Sequence, residues 1–406
     1  MQTQLSKAAL QLEGASLAQR VLRNCVHCGF CNATCPTYQL LGDELDGPRG
    51  RIYQMKELFE RGEVSKSTRQ HLDRCLLCRN CETTCPSGVQ YHTLLEVGRT
   101  AVEAWSVRPW HQRLTRKLLR MLLPQPGLFK LLLTLGRCVM PLLPAILRNK
   151  LPRHIPAPGR LPSQRHPRVV LMLEGCVQPA LSPNTHAAAV RLLDRLGIRA
   201  TTAPNAGCCG AVDFHLEAHA VGLDRARRNI DAWWPFVEAG VEAIVQTASG
   251  CGAFVKEYGV LLQHDPAYAQ RAQRVSALAK DLVEVMMTTP LESLPIRPHQ
   301  RLAFHCSCTL QHAQKLGGAV ESVLTRMGFE LTPVPDSHLC CGSAGTYAIT
   351  QPKIAGQLRD RKLDALESGH PDLIATANIG CQTHLDSARR TPVRHWIEVV
   401  EEALEI

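Results

Sequence analysis

The sequence predicts a chain of the α+α/β class, with an α-helical N-terminal part and an α/β part built from an internal repeat. Three observations support this class. A run of four cysteines occurs twice in the first 90 residues, among segments with helical apolar spacing. Further cysteine motifs recur at a nearly constant offset. Short apolar runs that end in those cysteines alternate with helical stretches, which is typical of a parallel sheet.

The doubled run has the spacing C-x2-C-x2-C-x3-C-P, which bacterial two-cluster ferredoxins use to hold [4Fe–4S] clusters. Three cysteines at this spacing can surround one corner of a cubane, whereas the fourth reaches the partner cluster. The predicted ligand sets are therefore crossed. They are Cys25, Cys28, Cys31 and Cys85 for cluster 1, and Cys35, Cys75, Cys78 and Cys81 for cluster 2. Residues 1–103 are predicted to form this helical ferredoxin module.

Two other uses of these cysteines are weaker. Zinc usually takes two separated C-x2-C pairs, and a third cysteine in each run does not suit it. A disulfide framework is not expected because we see no secretion signal near the first residue and anticipate a cytoplasmic protein with reduced thiols. Between the runs, Gly47-Pro-Arg-Gly-Arg51 reads as a turn. Its two arginines either offset cluster charge or are solvated.

The net charge of +10 is concentrated in one connector, predicted at residues 104–167. No Asp or Glu lies between Glu103 and Glu174, and 13 Lys or Arg lie from Arg108 to Arg168. Lysines, arginines and prolines interrupt its apolar run, so it is not expected to span a bilayer. It favours peripheral contact with the inner face of the cytoplasmic membrane or with an acidic partner subunit. Cys138 is expected to be buried there, and no base-reading motif indicates nucleic acid binding.

The internal repeat occupies the remainder, with predicted boundaries 168–300 and 301–406. Its cysteines are Cys176, Cys208, Cys209 and Cys251 in the first copy, and Cys308, Cys340, Cys341 and Cys381 in the second. The offsets are 132 from Cys176 to Cys308, 132 from Cys208 to Cys340, and 130 from Cys251 to Cys381. This agreement favours Cys308 over Cys306. Predicted strands precede the cysteines at 169–173, 243–247, 302–304 and 373–376.

Sites in parallel α/β sheets lie at the carboxyl ends of the strands, where these cysteines occur. Four thiols per copy can hold a further cluster or another soft metal such as zinc. They can also act as redox-active thiols, or form a structural lattice. Four histidines lie near the motifs and are expected at the surface or in caps, with His384 a possible ligand. They are His215, His305, His312 and His384.

The two cysteine runs followed by two Cys-Cys-Gly repeats resemble the iron–sulfur subunits related to heterodisulfide reductase, over nearly the whole chain. The motifs around Cys176, Cys208-Cys209, Cys251 and Cys340-Cys341 are most similar to the glycolate oxidase iron–sulfur subunits. This resemblance implies an electron-transfer subunit of an oxidoreductase. Its FAD-binding partner subunits would oxidise a 2-hydroxy acid, and electrons would pass towards membrane quinone.

The chain departs from the disulfide-reducing relatives where their repeats end in C-x-x-C. Phe254 stands at that position in the first copy and His384 in the second, which disfavours their five-cysteine cluster. No G-x-G-x-x-G fingerprint follows a strand and no P-loop is present, so no catalytic residue is assigned and FAD is expected only on partners. A thiol–disulfide redox enzyme, or the iron–sulfur subunit of a lactate or glycerol-3-phosphate dehydrogenase, are the alternatives.

Overall fold

The computed structural model describes residues 1–142, 148, 151–152, 155–291 and 294–405. These residues form two compact units. The first contains Met1–Arg116 and His338–Lys362, and the second contains Lys117–Ser337 and the residues from Leu363 onward. The α+α/β class predicted from the sequence is confirmed, whereas the predicted domain boundaries stay a prediction.

The N-terminal module is helical. Its helices are α1 (Lys7–Leu10), α2 (Ala15–Asn24), α3 (Phe30–Ala33), α4 (Pro36–Leu41), α5 (Pro48–Arg61), α6 (Lys66–Asp73), α7 (Asn80–Thr84) and α8 (Tyr91–Trp105). Helices α5 and α8 supply much of its core, which includes Met55, Phe59, Leu94 and Leu95. Proline at the first position of α5 preorganises the helix start, so the expected Gly47–Arg51 turn is wrong.

Two helices follow, α9 (Trp110–Leu122) and α10 (Pro126–Cys138). No helix among the described residues is long and apolar enough to cross a membrane alone. Helices α9 and α10 meet that requirement of length and composition only as a pair, bent by 107°. Cys138 is exposed, which corrects the expectation that it is buried.

The first repeat forms a parallel sheet of order β2-β1-β3-β4. Its strands are β1 (Arg168–Leu173), β2 (Ile198–Thr202), β3 (Ala243–Gln246) and β4 (Ala279–Asp281). Its helices are α11 (Gln178–Leu181), α12 (Pro183–Arg195), α13 (Ala211–His215), α14 (His219–Glu238), α15 (Ser249–Lys256), α16 (Tyr258–Leu261), α17 (Ala269–Leu278) and α18 (Leu282–Met287). The nearly continuous apolar character of β1 and β3 follows from burial of both sheet faces.

The second repeat forms a parallel sheet with the corresponding order, β6-β5-β7-β8. Its strands are β5 (Arg301–His305), β6 (Glu330–Leu331), β7 (Leu373–Thr376) and β8 (Val393–His395). Its helices are α19 (Ala319–Arg326), α20 (Tyr347–Thr350), α21 (Pro352–Glu367), α22 (Ile379–Asp386) and α23 (Trp396–Glu402). The sequence predicted one central pair of strands in each sheet and missed β2, β4, β6 and β8, which are short or less buried.

Candidate iron–sulfur sites

The first cavity lies in the N-terminal module and has about 430 Å³ of empty space. Its wall contains all four cysteines of the predicted first ligand set, and Cys81 also reaches it. Burial, together with the neighbouring Cys25, Cys85 and Cys28, raises the pKa of Cys31 to about 11. These thiols are therefore close enough to repel one another as thiolates, a repulsion that a bound iron cation would offset.

The second cavity has about 380 Å³ of empty space and lies in the same module. Cys35, Cys75, Cys78 and Cys81 line it, so the fourth cysteine of each run faces the cavity of the other run. Burial raises the pKa of Cys81 well above its ordinary value, and the nearby Cys78 and Cys75 act in the same direction.

The backbone of both cysteine loops curls through the left-handed region at equivalent positions. His27 and Gly29 have φ of 58° and 88°, and fifty residues later Leu77 and Arg79 have φ of 53° and 60°. A positive φ is costly for a side chain as large as leucine, so such strain usually persists where a site requires it. Here it turns three successive cysteines toward one cavity.

The donor set fits iron–sulfur clusters. Soft thiolates hold [4Fe–4S] clusters with four cysteines each, and each cavity offers four. The crossed grouping matches the predicted ligand sets, although the ligand role of each cysteine stays a prediction.

Two polar side chains contact cysteine sulfurs of the second cavity. The Tyr91 hydroxyl donates to Cys75 Sγ at 3.8 Å, and Arg51 Nη1 lies 4.0 Å from Cys35 Sγ. Arg51 is only 1% exposed. Burial acts to lower the pKa of Arg51, but the negative charge of Cys75, Tyr91, Cys35 and Asp46 outweighs it and raises the pKa above its ordinary value.

The first repeat brings its four thiols together at the carboxyl ends of β1, β2 and β3, as expected for a parallel sheet. Hydrogen bonds link Cys176 to Cys208, Cys208 to Cys209, and Cys209 to Cys251. The pKa of Cys208 lies well below its ordinary value because Cys176 and Cys209 donate to it, and the pKa values of these two donors are raised. This arrangement of buried thiols favours the thiolate form at Cys208, and thiolates are ligands for soft metals.

Steric constraints explain why each Cys-Cys-Gly triplet ends in glycine. Gly210 has φ of 100°, and a Cβ there would lie 2.4 Å from the carbonyl oxygen of Gly222. Gly342 has φ of 87°, and a Cβ there would lie 2.8 Å from the carbonyl oxygen of Ala355. No other residue fits this combination of left-handed backbone and close approach.

The positions after the third motif differ between the copies. Phe254 is buried and packs against Phe214 and Tyr258, which leaves no fifth sulfur ligand at that position. His384 lies in α22, and its role as a ligand stays a prediction. His305 and His312 are buried rather than at the surface, and His305 Nδ1 bonds Thr376 Oγ1 at 2.9 Å.

The cysteines of the second repeat fall in both units. Cys308 precedes a π-helical turn, Thr309–Ala313, and Cys381 lies in the first turn of α22, both in the second unit. Cys340 and Cys341 belong to the first unit, so a common site for these four thiols stays a prediction. Cys306 packs in the hydrophobic core, and the choice of Cys308 as the landmark cysteine stays a prediction.

Two bonds in the first unit attach the Cys340-Cys341 loop to the second cysteine run. Asn80 Nδ2, next to Cys81, donates to the carbonyl oxygen of His338 at 3.1 Å. The Tyr347 hydroxyl donates to the carbonyl oxygen of Arg74, next to Cys75, at 3.0 Å. Sequence reasoning missed this arrangement, because nothing in the local pattern connects residues more than 250 positions apart.

Comparison with known proteins agrees with these sites. A family model described as a 4Fe-4S dicluster domain matches residues 21–89, and a cysteine-rich domain matches residues 170–256 and 302–386. The N-terminal module is therefore a two-cluster [4Fe–4S] domain. A solved hypothetical protein from Helicobacter pylori has a similar fold, with a TM-score of 0.52 at 11% identity over 98% of this chain and 73% of that one.

Curated relatives extend the similarity to the whole chain. The glycolate oxidase iron-sulfur subunit of Escherichia coli is 63% identical over 405 residues, covering 100% of both chains. The probable glycolate oxidase iron-sulfur subunit of Bacillus subtilis is 30% identical and covers 89% of this chain and 87% of its own. Lactate utilization protein A of Bacillus licheniformis is 26% identical over 51% of this chain and 85% of its own. With both cluster cavities and both cysteine-rich repeats in place, the chain belongs to the family of glycolate oxidase iron–sulfur subunits.

Proposed function

We propose that this chain is the electron-transfer subunit of a flavin-dependent dehydrogenase that oxidises glycolate, or a related 2-hydroxy acid, to the 2-oxo acid. The observation that carries the proposal is the pair of thiol-lined cavities in a chain 63% identical to a glycolate oxidase iron-sulfur subunit. Bound clusters would supply one-electron chemistry, and the chain's residues hold them and set their surroundings.

The division of labour follows from what the sequence contains. It has no dinucleotide fingerprint, so FAD and substrate oxidation are assigned to partner subunits, and this chain alone is not expected to be catalytic. The first cavity is the better candidate for the flavin-facing side, because Cys28, Val26 and Phe30 are exposed there. The lactate alternative has less support, since that relative matches only about half of this chain.

Co-expression with the flavin subunits tests this function. We expect the complex to copurify with flavin and to reduce a dye when glycolate is added, whereas the isolated chain does neither. Cys35→Ser should abolish or strongly reduce dye reduction. Cys138→Ser is the matched control, since Cys138 is exposed and lies outside every cysteine motif. Glycolate oxidation by the isolated chain, or full activity of the Cys35→Ser complex, would contradict the proposal.

We further propose that α9 and α10 attach the complex to the cytoplasmic face of the membrane, near its quinone. Both helices leave large apolar side chains exposed: Trp110, Leu114, Leu118, Met121, Leu128, Leu131 and Leu135. Not every cation of this segment is available for lipid. Arg108 and Arg116 pair with Asp73 at 2.5 and 3.2 Å, which leaves Arg113, Lys117 and Lys130 as exposed cations for an anionic surface.

Liposome flotation tests the attachment. We expect the full chain to float with anionic vesicles at low salt, and to float less at high salt because screening shortens the reach of surface charge. Changing Arg113, Lys117 and Lys130 to Gln should weaken binding by up to about 1 kcal/mol per cation. The control changes three exposed cations elsewhere to Gln, namely Arg199, Arg274 and Lys280. Equal flotation of both triple variants would refute the membrane assignment.

A further inference from the structure

A charged network lies beneath the second cavity, on the side of Cys35. Asp46 is fully buried and contacts three side chains: Arg51 Nη2 at 3.3 Å, Arg74 Nη1 at 2.8 Å and His71 Nδ1 at 2.9 Å. Two guanidinium groups and one carboxylate leave a net charge of +1 when His71 is neutral.

Arg51 is the member of this network that reaches the site. Its Nη1 lies 4.0 Å from Cys35 Sγ, and both Nη atoms donate to Thr37 Oγ1 at 3.2 Å. Its Nε donates to the carbonyl oxygen of His71 at 2.8 Å. These bonds fix the guanidinium in one position, so its charge acts at a defined short distance from the sulfur.

The first cavity has a cation of a different kind. Arg49 lines it but pairs with Glu44 at 2.6 Å, and both side chains are about 40% exposed, at 37% and 41%. The pair is neutral and faces water, which screens what remains of its field. The Met1 amino group also lies near the first run and donates to the carbonyl oxygen of Cys25 at 3.0 Å, but it is partly exposed. The two cavities therefore differ in where their cations lie. The second has a fully buried guanidinium 4.0 Å from a cysteine sulfur, whereas the first has a solvated ion pair and a partly exposed amine.

We propose that Arg51, assisted by the Tyr91 hydroxyl, raises the reduction potential of the cluster held at the second cavity and makes that cavity the electron-accepting one of the two. Reduction adds one electron, which originates at the flavin subunit and reaches the second cavity by way of the first, with no bond formed or broken. A buried positive charge favours the more negative reduced state, and so does a hydrogen bond to a ligand sulfur. The inference rests on the proposed function for the origin of the electron.

Potentiometric titration of the anaerobically purified full chain, followed by electron paramagnetic resonance, measures this effect without any partner. Cys35→Ser first identifies the signal of the second cavity. Arg51→Gln is expected to lower the midpoint potential of that signal and leave the other unchanged. A tenfold change in the electron-sharing equilibrium between the two clusters corresponds to about 59 mV. Arg51→Lys, which keeps the charge, should retain most of the native value.

Matched controls separate charge from structure. Arg49→Gln removes a solvated cation beside the first cavity. It should shift neither midpoint potential by as much as Arg51→Gln shifts that of the second cavity. Tyr91→Phe removes only the hydroxyl that donates to Cys75 and should lower the same midpoint as Arg51→Gln, by less. Tyr53→Phe, at a half-exposed tyrosine, should change neither.

Three results would overturn the inference. They are an unchanged midpoint in Arg51→Gln with both clusters intact, equal shifts in both signals, or a loss of potential in Arg51→Lys as large as in Arg51→Gln. Should Arg51→Gln fail to incorporate iron, an unchanged midpoint in Tyr91→Phe overturns it instead. None of these outcomes depends on glycolate oxidation, so failure here is distinguishable from failure of the proposed function.

Discussion

The two cysteine-rich repeats share a strand order, but they use different residue types to cap the helix that follows the fourth strand. The fourth strand of each sheet ends in a residue that caps the next helix. Asp281 Oδ1 accepts from the Val283 amide at 3.2 Å, and His395 Nδ1 accepts from the Ile397 amide at 3.3 Å. Asp281 is 1% exposed and His395 is 0% exposed. Both repeats thus have a hydrogen-bond acceptor at this helix start, but the residue type differs. Burial shifts the pKa values of the two capping residues in opposite directions.

The second difference concerns the vicinal cysteines. In the first repeat Cys208 and Cys209 lie with the other two thiols of their own copy. In the second, Cys340 and Cys341 belong to the unit that holds the ferredoxin-type module, attached through Asn80 and Tyr347. The two loops therefore share their glycine geometry, and the second loop has additional hydrogen bonds to the second cysteine run.

The largest effect that would test this difference is expected from Cys340→Ser, compared with Cys208→Ser. Cys340 and Cys75 both act electrostatically on Tyr347, so a change at Cys340 should alter the paramagnetic spectrum of the second cavity. We expect a loss of glycolate-dependent dye reduction in the complex of more than about tenfold, since single ligand or partner losses at metal sites commonly cost 10–100-fold. Cys208→Ser should leave that spectrum unchanged. Identical spectra in both variants would remove the distinction between the loops.

The acidic cap predicts a strong pH dependence. Burial raises the pKa of Asp281 to about 7, although the Val283 amide and Lys256 oppose the rise. The folded state binds the proton of Asp281 more tightly than the unfolded state does. The stabilisation that protonated Asp281 contributes is therefore complete below about pH 4 and is lost as the pH rises to about 7. A pKa that is higher by about three in the folded state corresponds to a free energy of about 4 kcal/mol, as an upper value.

Asp281→Asn keeps an acceptor for the Val283 amide but cannot titrate. We expect chemical denaturation to show a free energy of unfolding that no longer falls between pH 4 and pH 7. Asp224→Asn, at a carboxylate that is 66% exposed, is the control and should leave the slope of the native chain. A native chain without this slope would show that Asp281 is charged when folded.

A pair of tyrosines sharpens the comparison of the two loops. The Tyr258 hydroxyl donates to the carbonyl oxygen of Cys209 at 2.6 Å, and it is fully buried. Tyr258→Phe leaves that carbonyl unsatisfied and should lower the free energy of unfolding by about 1–3 kcal/mol, without changing the spectrum of the second cavity. Tyr347→Phe, which releases Arg74, should cost less stability but change that spectrum. Thermal unfolding measures the loss of stability, and electron paramagnetic resonance measures the change in the spectrum. A larger loss of stability in Tyr347→Phe, together with a changed spectrum in Tyr258→Phe, would contradict the prediction.

The basic cap predicts the smallest effect, with the opposite sign. Burial lowers the pKa of His395, although Glu398 and the Thr247 carbonyl raise it in part. The neutral ring donates from Nε2 to Thr247 at 2.8 Å and accepts at Nδ1, so a second proton removes the cap. Stability is therefore present above the unfolded pKa of about 6.5 and is lost as the pH falls below it. His395→Asn should flatten this acidic loss in a denaturation series, and an unaltered slope would argue against it.

Several expectations failed for one shared reason. Cys138 is exposed, whereas His305 and His312 are buried. Each was inferred from the composition of a short window. Burial depends on which surfaces meet across the whole fold, and a window of a few residues carries no information about those contacts.

Sequence by itself determined the cofactor class, the helical module, the parallel α/β repeats and the positions of their thiols. These features depend on spacing along the chain, which covalent geometry converts directly into loop and strand positions. Tertiary structure alone decided that Arg51 lies beneath Cys35, that Asp281 and His395 perform one role, and that the Cys340-Cys341 loop contacts the second cysteine run. These properties arise from contacts between residues distant in sequence, where packing and burial set the electrostatics, and no local pattern encodes them.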